Sequence, residues 1–409
     1  MMLIRKKLNK LLLIAFAFSI IFTFVVHLLP SKVLGSGKGE STEQEVRVIS
    51  INLDPFSYTV EGRAKQLIPI LFEYDPDSIG TQENSTGWAQ EFDKRTGEKY
   101  KRVGLNFEGT LNRLHCPANF IYFNSEKYTE ISSGTVWMKE NTLFPEGQRR
   151  NYVWIVLENK ETGIRYVHIN THLDVGNPES NKVQMKMMRD ICERFISLGY
   201  PVFVTGDFNT SEGSESYHIM VDSSEMYDSK YLAEDTMSGG TFHSSPTSVT
   251  TDRLPIDFCF VYKELVNVKK YEIIDTVVSD SYFLSDHNGL FINATVKNDV
   301  ELNARKPDIS LSGISIIKQD INKYKGDIYF SQADDIRLID GYIVKAIDPS
   351  GKVDFERIIP SRNLDLDPPD TLRCTLTALK PNTKYIINIT PKCFDSSYSE
   401  TYTFETQTK

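Results

Sequence analysis

From Val46 to about Val296 the chain alternates short β-type runs with helical stretches, and run after run stops on an acid, an amide or an imidazole. Such alternation predicts one large α/β unit whose strand ends gather polar groups. Pro201-Val-Phe-Val-Thr-Gly-Asp-Phe-Asn209 is an apolar strand ending in Asp207 and Asn209 on one face, with Gly206 allowing close backbone approach. In Val167–Asp174 the period of two puts His168, Asn170 and His172 on one face and Val167, Ile169 and Thr171 on the other. A single histidine in such a place is more often a satisfied structural group than a catalyst. Val183, Met187, Met188, Ile191, Cys192 and Phe195 recur at helical spacing and predict a helix packed by a Met-rich core stripe. A second helix carries Ala64, Leu67, Ile68 and Leu71, and Pro69 inside it predicts a kink or an early end. Tyr152–Leu157 and Ile164–Thr171 flank a polar turn ending in Gly163 and read as a hairpin, so antiparallel sheet is expected too.

The 409 residues leave room for two or three domains, and 40% hydrophobic with 25% charged residues excludes wholesale disorder. Residues 1–35 hold Arg5, Lys6, Lys7, Lys10 and Lys32 but no acid, and Leu11–Leu29 is interrupted only by Ser19, Thr23 and His27. This is an export signal, either a cleaved signal peptide or an N-terminal membrane anchor, and in both cases the rest of the chain is expected outside the cell or on its surface. Without those five basic residues the formal charge of −9 becomes −14, which disfavours a partner held by bulk electrostatics, such as a long nucleic acid. Residues 36–45 read as a Gly, Ser and Glu-rich linker, 46–298 as the α/β domain and 305–409 as a second, all-β domain of about 100 residues. Cys116, Cys192, Cys259, Cys374 and Cys393 show no CxxC spacing; a Cys374–Cys393 bridge is open, but buried free thiols are the preferred reading.

The remaining groups are spread along the α/β domain. Ser285-Asp-His287 sets a carboxylate beside an imidazole, pointing apart, so each needs another partner; Asp257 in the strand Ile256–Val261 is the one to orient His287. Glu83 follows the β-like run from Asp77 to Gln82, and Asn52 sits within Val48-Ile-Ser-Ile-Asn-Leu53. Taken together, six strand ends supply acid, amide and imidazole groups with no nucleophilic Ser or Cys among them. That set suits attack by water assisted by a metal ion, and Mg²⁺ needs one or two carboxylates beside substrate oxygens, which Glu83 and Asp286 provide.

The ordered motifs Ile49-Ser-Ile-Asn-Leu, Ile79-Gly-Thr-Gln-Glu, Asn170-Thr-His-Leu-Asp, Thr205-Gly-Asp-Phe-Asn, Ile256-Asp-Phe and Ser285-Asp-His resemble the endonuclease/exonuclease/phosphatase superfamily over some 250 residues, with Thr241-Phe-His243 closest to a bacterial branch. The resemblance implies a four-layer α/β sandwich, two mixed sheets flanked by helices, with the site at one edge. It further implies Mg²⁺, with Mn²⁺ as the alternative, held by Glu83 with Asn52 and Asp286. In the same pattern Asp207 activates the water, Asn209 holds it, and His172 and His287 donate to phosphate oxygens. Asp257 then orients His287, and Asn170 supports the set. Arg149 or Arg150 is the expected phosphate contact, against a solvated strand edge. Asn288-Gly-Leu replaces the usual aromatic and Pro after Ser285-Asp-His287, which leaves substrate choice open.

Leu379-Lys-Pro-Asn-Thr-Lys-Tyr385 and Tyr402-Thr-Phe-Glu-Thr406 resemble a fibronectin type III domain, with Ile328, Tyr329 or Phe330 in place of its early tryptophan. The expected function is an exported Mg²⁺-dependent phosphoesterase cleaving a phosphodiester or a phosphomonoester of unknown identity. An extracellular nuclease is the alternative within the superfamily. A non-catalytic surface adhesion protein, using its C-terminal domain to bind a surface ligand, is the alternative of another class.

Overall fold

The computed structural model describes residues 43–56, 58–104, 118–138, 150–222, 225–244, 254–297, 310–334, 339–360, 371–394 and 400–409. The expected export segment, Arg149 and Cys116 lie outside these residues. Among the described residues no helix is long and apolar enough to cross a membrane.

In chain order the α/β part comprises β1 (Glu43–Asn52), α1 (Val60–Glu73), β2 (Ser78–Asn84), α2 (Thr86–Thr96), β3 (Tyr100–Val103), β4 (Ala118–Asn124), β5 (Tyr128–Trp137), β6 (Asn151–Asn159) and β7 (Arg165–His172). It continues with α3 (Pro178–Ser197), β8 (Val202–Asp207), α4 (Glu215–Val221), β9 (Met226–Asp228), α5 (Ser229–Leu232), β10 (Asp235–Thr236), β11 (Asp257–Tyr262), β12 (Val266–Ile274), β13 (Val277–Ser279), β14 (Tyr282–Phe283) and β15 (Gly289–Lys297). One sheet has the order β10-β12-β15-β1-β2-β4-β3 and the other β5-β6-β7-β8-β11-β9. Both are mixed, because β1 pairs with β2 and β7 with β8 in parallel while their other neighbours run antiparallel.

Three apolar clusters define four layers. Ile49, Ile51 and Ile79 pack under α1 and α2 through Leu67, Leu71, Trp88 and Phe92. Val153, Ile155, Phe203 and Val261 meet Val46, Val48, Ile121 and Ile292 between the sheets. Val167, Ile169, Val202 and Val204 pack outward against Met185, Met188, Ile191 and Phe195 of α3. The expected sandwich is therefore present, and the period of two in β7 divides its side chains as predicted, with Val167 and Ile169 under α3 and His168 and Asn170 facing the opposite sheet.

Helix α1 does not end at Pro69; it runs on to Glu73. Pro69 lies on the exposed face, where the carbonyl left without its donor meets water, while Leu67, Ile68 and Leu71 keep the apolar stripe in the core. The hairpin of β6 and β7 forms as expected, closed by Asn159, whose Oδ1 accepts from Glu161 N and Thr162 N.

After residue 309 the chain is all β: β16 (Ile316–Ile321), β17 (Gly326–Ser331), β18 (Ile339–Ile347), β19 (Val353–Pro360), β20 (Thr371–Leu376), β21 (Lys384–Cys393) and β22 (Tyr402–Gln407). They form a three-stranded sheet, β16-β17-β20, and a four-stranded sheet, β19-β18-β21-β22, around a core of their own that includes Ile328, Phe330, Tyr342 and Tyr385. Tyr329 stands outside that core, half-buried. Thr42–Lys409 is nonetheless one compact unit. Phe394 leaves the C-terminal sheets to pack on Phe195 (4.3 Å) and Trp154 (4.8 Å), and Arg194 on α3 donates to Ile339 O at 2.9 Å. Cys192, Cys259, Cys374 and Cys393 are all buried free thiols, so the preferred reading of them holds and the Cys374–Cys393 bridge is absent.

Candidate active site

The parallel pairs explain why the polar strand ends converge. β1 beside β2 sets Asn52 opposite Gln82, and β7 beside β8 sets His172 opposite Asp207. Antiparallel β11 then begins with Asp257 opposite Asp207, and β15, antiparallel to β1, is entered from His287. Four C-terminal ends and two strand entries thus meet at one edge of the sandwich. Glu83 (φ 52°) and Asn209 (φ 48°) both adopt the left-handed region, a departure costing on the order of 1–3 kcal/mol each and persisting where neighbours enforce it.

Asp207 is the centre of the site. Its Oδ2 accepts from Asn52 Nδ2 at 3.0 Å and its Oδ1 from the Asn209 backbone N–H at 2.9 Å. His172 Nε2 lies 3.4 Å and His287 Nε2 3.7 Å from Oδ2. Burial, and then the neighbouring Asp257, push the Asp207 carboxyl up to about 6, against the opposing pull of His287. A carboxylate so placed is a base poised near neutrality.

The imidazoles differ in protonation. His287 Nδ1 sits 2.8 Å from Asp257 Oδ2, and although burial opposes the charge, Asp257 and Asp207 raise His287 well above an ordinary histidine. It is therefore an imidazolium at neutral pH. His172 is held neutral by burial, with the charges of Arg150 and His287 adding to the effect. Asn209 Nδ2 must donate to Leu173 O (3.1 Å), and the same group donates to His172 Nε2 (2.9 Å). The His172 proton consequently resides on Nδ1, a buried donor without a hydrogen-bond partner, 4.0 Å from Glu83 Oε1. Backbone donors set the rest: Thr241 Oγ1 accepts from Asp257 N, and Ser285 Oγ accepts from His287 N while donating to Asn52 O at 2.6 Å.

The residues fit a divalent cation. Glu83 is raised by burial and then by Asp207, and Asp286 is pushed up to about 6, chiefly by burial, with Asp54 and Glu83 adding to it. Three carboxylates, Glu83, Asp207 and Asp286, thus share one edge, each resisting ionisation, and a cation relieves all three. Asp207, Asp257 and His287 also offer ligand atoms within 4.8 Å of one another. A hydrogen-bonded charge relay already accounts for that triplet, because His287 Nδ1 is committed to Asp257. Glu83 with Asn52 and Asp286 is the set left to hold a metal.

Asn170 does not reach the site. Its Nδ2 donates to Thr81 O and Phe120 O, its Oδ1 accepts from Gln82 Nε2 and Thr205 Oγ1, and all four capacities are used inside the sandwich. Its expected supporting part is therefore confined to holding strands. Arg150 is buried, and its charge lowers both Glu83 and His172, which keeps it beside the site rather than at a solvated edge.

Two features escaped the sequence reading. Arg63, wholly buried on α1, donates from Nη1 to Leu53 O (3.1 Å) and Leu284 O (3.0 Å), and from Nη2 to Asp54 O, tying the segment after Asn52 to the one before Asp286. The signal was an arginine on the apolar stripe of an otherwise ordinary helix. Phe56 and Tyr58, 63% and 50% exposed, are aromatics four and six residues after Asn52. Tyr58 (φ 51°) packs on Tyr282 and Phe283, the latter three residues before Asp286, and donates to Ser281 O at 3.0 Å.

This fold and donor set define a metal-dependent hydrolase of phosphate esters. The endonuclease/exonuclease/phosphatase family matches residues 56–287, more than half of the chain, and the protein belongs to that family. A family protein from Bacteroides thetaiotaomicron is similar in structure, with 21% identity, a TM-score of 0.54, and coverage of 63% of this chain and 99% of that one. One from Bacteroides vulgatus gives 22%, 0.55, 62% and 100%, and the mannosyl-6-phosphatase of B. thetaiotaomicron 21%, 0.53, 61% and 99%. At these identities the likeness is one of fold. No curated protein matches the chain.

Proposed function

We propose that the protein is an exported, Mg²⁺-dependent phosphoesterase that cleaves a phosphodiester, or a phosphomonoester, by direct attack of water on phosphorus. The observation that carries this reading is Asp207, a buried carboxylate fixed by Asn52 and Asn209 and flanked by two imidazoles in opposite protonation states. Asp207 takes a proton as the water oxygen bonds to phosphorus, while Asn209 and Asn52 hold the carboxylate. His287, oriented by Asp257, and His172 through Nδ1–H donate to the non-bridging oxygens as their charge grows. The P–O bond to the leaving group breaks opposite the water, its electron pair staying on the departing oxygen, which takes a proton from solvent. Glu83, Asn52 and Asp286 would hold Mg²⁺ or Mn²⁺, which when bound would supply Lewis-acid charge toward the phosphate. Arg150 adds a fixed positive charge on the same side.

For the substrate we favour a sugar or lipid phosphodiester. The charge of −14 beyond the N-terminal segment speaks against a long polyanion, and the exposed aromatics Phe56 and Tyr58 in the segment after Asn52 suit a compact organic group. The fold neighbour named a mannosyl-6-phosphatase carries a sugar phosphate in its name, which favours the sugar part of that reading and keeps the phosphomonoester open. Export rests on the basic and apolar residues 1–35, which deliver the chain to the cell surface or beyond it. A fibronectin type III reading of the C-terminal sheets is supported by their three-plus-four strand order and by Tyr385, whose Oη accepts from Lys380 N at 2.9 Å. Such a module would offer a surface ligand its binding face.

The test is a panel of glycosyl phosphodiesters, glycerophosphodiesters, sugar monophosphates and a single-stranded oligonucleotide with Mg²⁺. Preference for a sugar or glycerol ester supports the proposal. Preference for the oligonucleotide converts it to the nuclease reading.

A further inference from the structure

The site is divided between the two sheets. Asn52, Glu83 and the Asp286–His287 segment belong to the sheet of β1, β2 and β15, whereas His172, Asp207, Asn209 and Asp257 belong to the sheet of β7, β8 and β11. Metal-holding and water-activating groups therefore keep their spacing only if the sheets cannot slide.

Between the sheets, the half away from the site is apolar, but behind the site a chain of buried polar groups crosses the gap. Tyr166 Oη donates to Ser78 Oγ at 3.1 Å, and Thr205 Oγ1 donates to Asn170 Oδ1 at 3.1 Å. His168, fully buried, lies between them, with Nδ1 2.9 Å from Ser78 Oγ and Nε2 2.8 Å from Thr205 Oγ1. With the Thr205 proton committed to Asn170, Nε2–H must donate to Thr205; Nδ1 must then accept from Ser78, which in turn accepts from Tyr166. Every proton points one way, which assigns the neutral Nε2–H tautomer. Asn170 Oδ1 also accepts from Gln82 Nε2 at 2.6 Å, and Gln82, the neighbour of Glu83, reaches Ser50 Oγ at 3.2 Å. Gly80 makes room for this: a Cβ there would stand 2.3 Å from Thr205 Oγ1 and 2.6 Å from Asn170 Oδ1.

We infer that the Ser78–His168–Thr205–Asn170–Gln82 relay is a positioning device for catalysis, locking Asp207 on one sheet at its working distance from Glu83 and Asn52 on the other. Thr205 lies two residues before Asp207 and Gln82 one before Glu83, so the relay joins the two strands just below their functional ends. The inference rests on the phosphoesterase reading above. Because the cation ligands lie on one sheet, breaking the relay separates two quantities that a general loss of structure lowers together.

The experiment measures kcat on whichever of bis-p-nitrophenyl phosphate and p-nitrophenyl phosphate the wild type turns over faster and, separately, the Mg²⁺ affinity by thermal shift, for Thr205→Val, Thr205→Ser and Ser78→Ala in otherwise full-length protein. Thr205→Val, which keeps the shape and loses the hydroxyl, is expected to lose about 10- to 100-fold in kcat, the scale of a misplacement approaching 1 Å. Its Mg²⁺ affinity should stay within about twofold of wild type, a change worth well under 1 kcal/mol by the affinity relation. Thr205→Ser should restore kcat, and Ser78→Ala should repeat the split from the far end of the relay, covering the case that Thr205→Val does not fold. Wild-type kcat in both Thr205→Val and Ser78→Ala, or parallel loss of kcat and metal affinity, overturns the relay. A wild-type protein that binds Mg²⁺ but hydrolyses neither bis-p-nitrophenyl phosphate nor p-nitrophenyl phosphate overturns the phosphoesterase reading instead.

Discussion

Glu83→Gln tests the metal assignment through stability as well as turnover. In the metal-free protein Glu83 is raised by burial and by Asp207, so its folded form holds a proton more tightly than the unfolded chain does. Such a group stabilises the fold below its unfolded pKa, near 4.3, and that contribution is lost as the pH rises through the folded value. As the pH rises the ionised carboxylate becomes a burden, and the isosteric amide removes it. Metal-free Glu83→Gln is therefore expected to melt at or above wild type. Wild type, given Mg²⁺ at about 100 times its dissociation constant, gains about 2.7 kcal/mol, which moves the melting point of a domain this large by about 5–10 °C. The variant should show little of this gain at the same concentration. Differential scanning fluorimetry across a Mg²⁺ titration, with EDTA as the reference, reads both effects. A variant that melts below wild type without metal, or that gains as much from Mg²⁺, refutes the assignment of Glu83 as the principal ligand.

Asp207→Asn should cut kcat at least about 10²-fold, the usual scale for a lost general base, while keeping the Mg²⁺-induced thermal shift; loss of both would make Asp207 a metal ligand. Asp228, buried at the start of α5 where its Oδ1 accepts from Lys230 N, is pushed up to about 6 chiefly by burial. Its raised value means stability present below about pH 4 and lost by about pH 6, on the order of 3 kcal/mol, so Asp228→Asn should flatten the urea-derived stability profile over that window and stabilise the protein above it. Phe394→Ala, which opens the contact with Trp154 and Phe195, should cost about 3–5 kcal/mol and lower the melting of the catalytic part, read by tryptophan fluorescence; unchanged melting would make the C-terminal sheets independent.

Much of this site was legible because polar residues that interrupt apolar strands at a period of two are visible in one dimension. Asp207, His172, Asp257 and His287 needed only the pattern and the motif order. What each side chain touches was not legible, since partners come from the opposite sheet: Asn170 looked as available as Asn209, yet Gln82, Thr81, Phe120 and Thr205 consume it. His168 and His172 alternate identically, and only depth in the sandwich makes one a tie and the other a donor. Pro69 misled because a local rule about missing donors ignores which face of the helix meets water. The places of Arg63 and of Tyr58 depend on a segment returning from residues 281–284, a contact more than 200 residues away.

The most direct measurement is turnover of bis-p-nitrophenyl phosphate and of p-nitrophenyl phosphate by the wild-type protein and by Asp207→Asn, each in Mg²⁺ and in EDTA. The account predicts hydrolysis in wild type with Mg²⁺ alone, abolished by EDTA and by the substitution. Turnover that persists in EDTA, or that survives in Asp207→Asn, would contradict it.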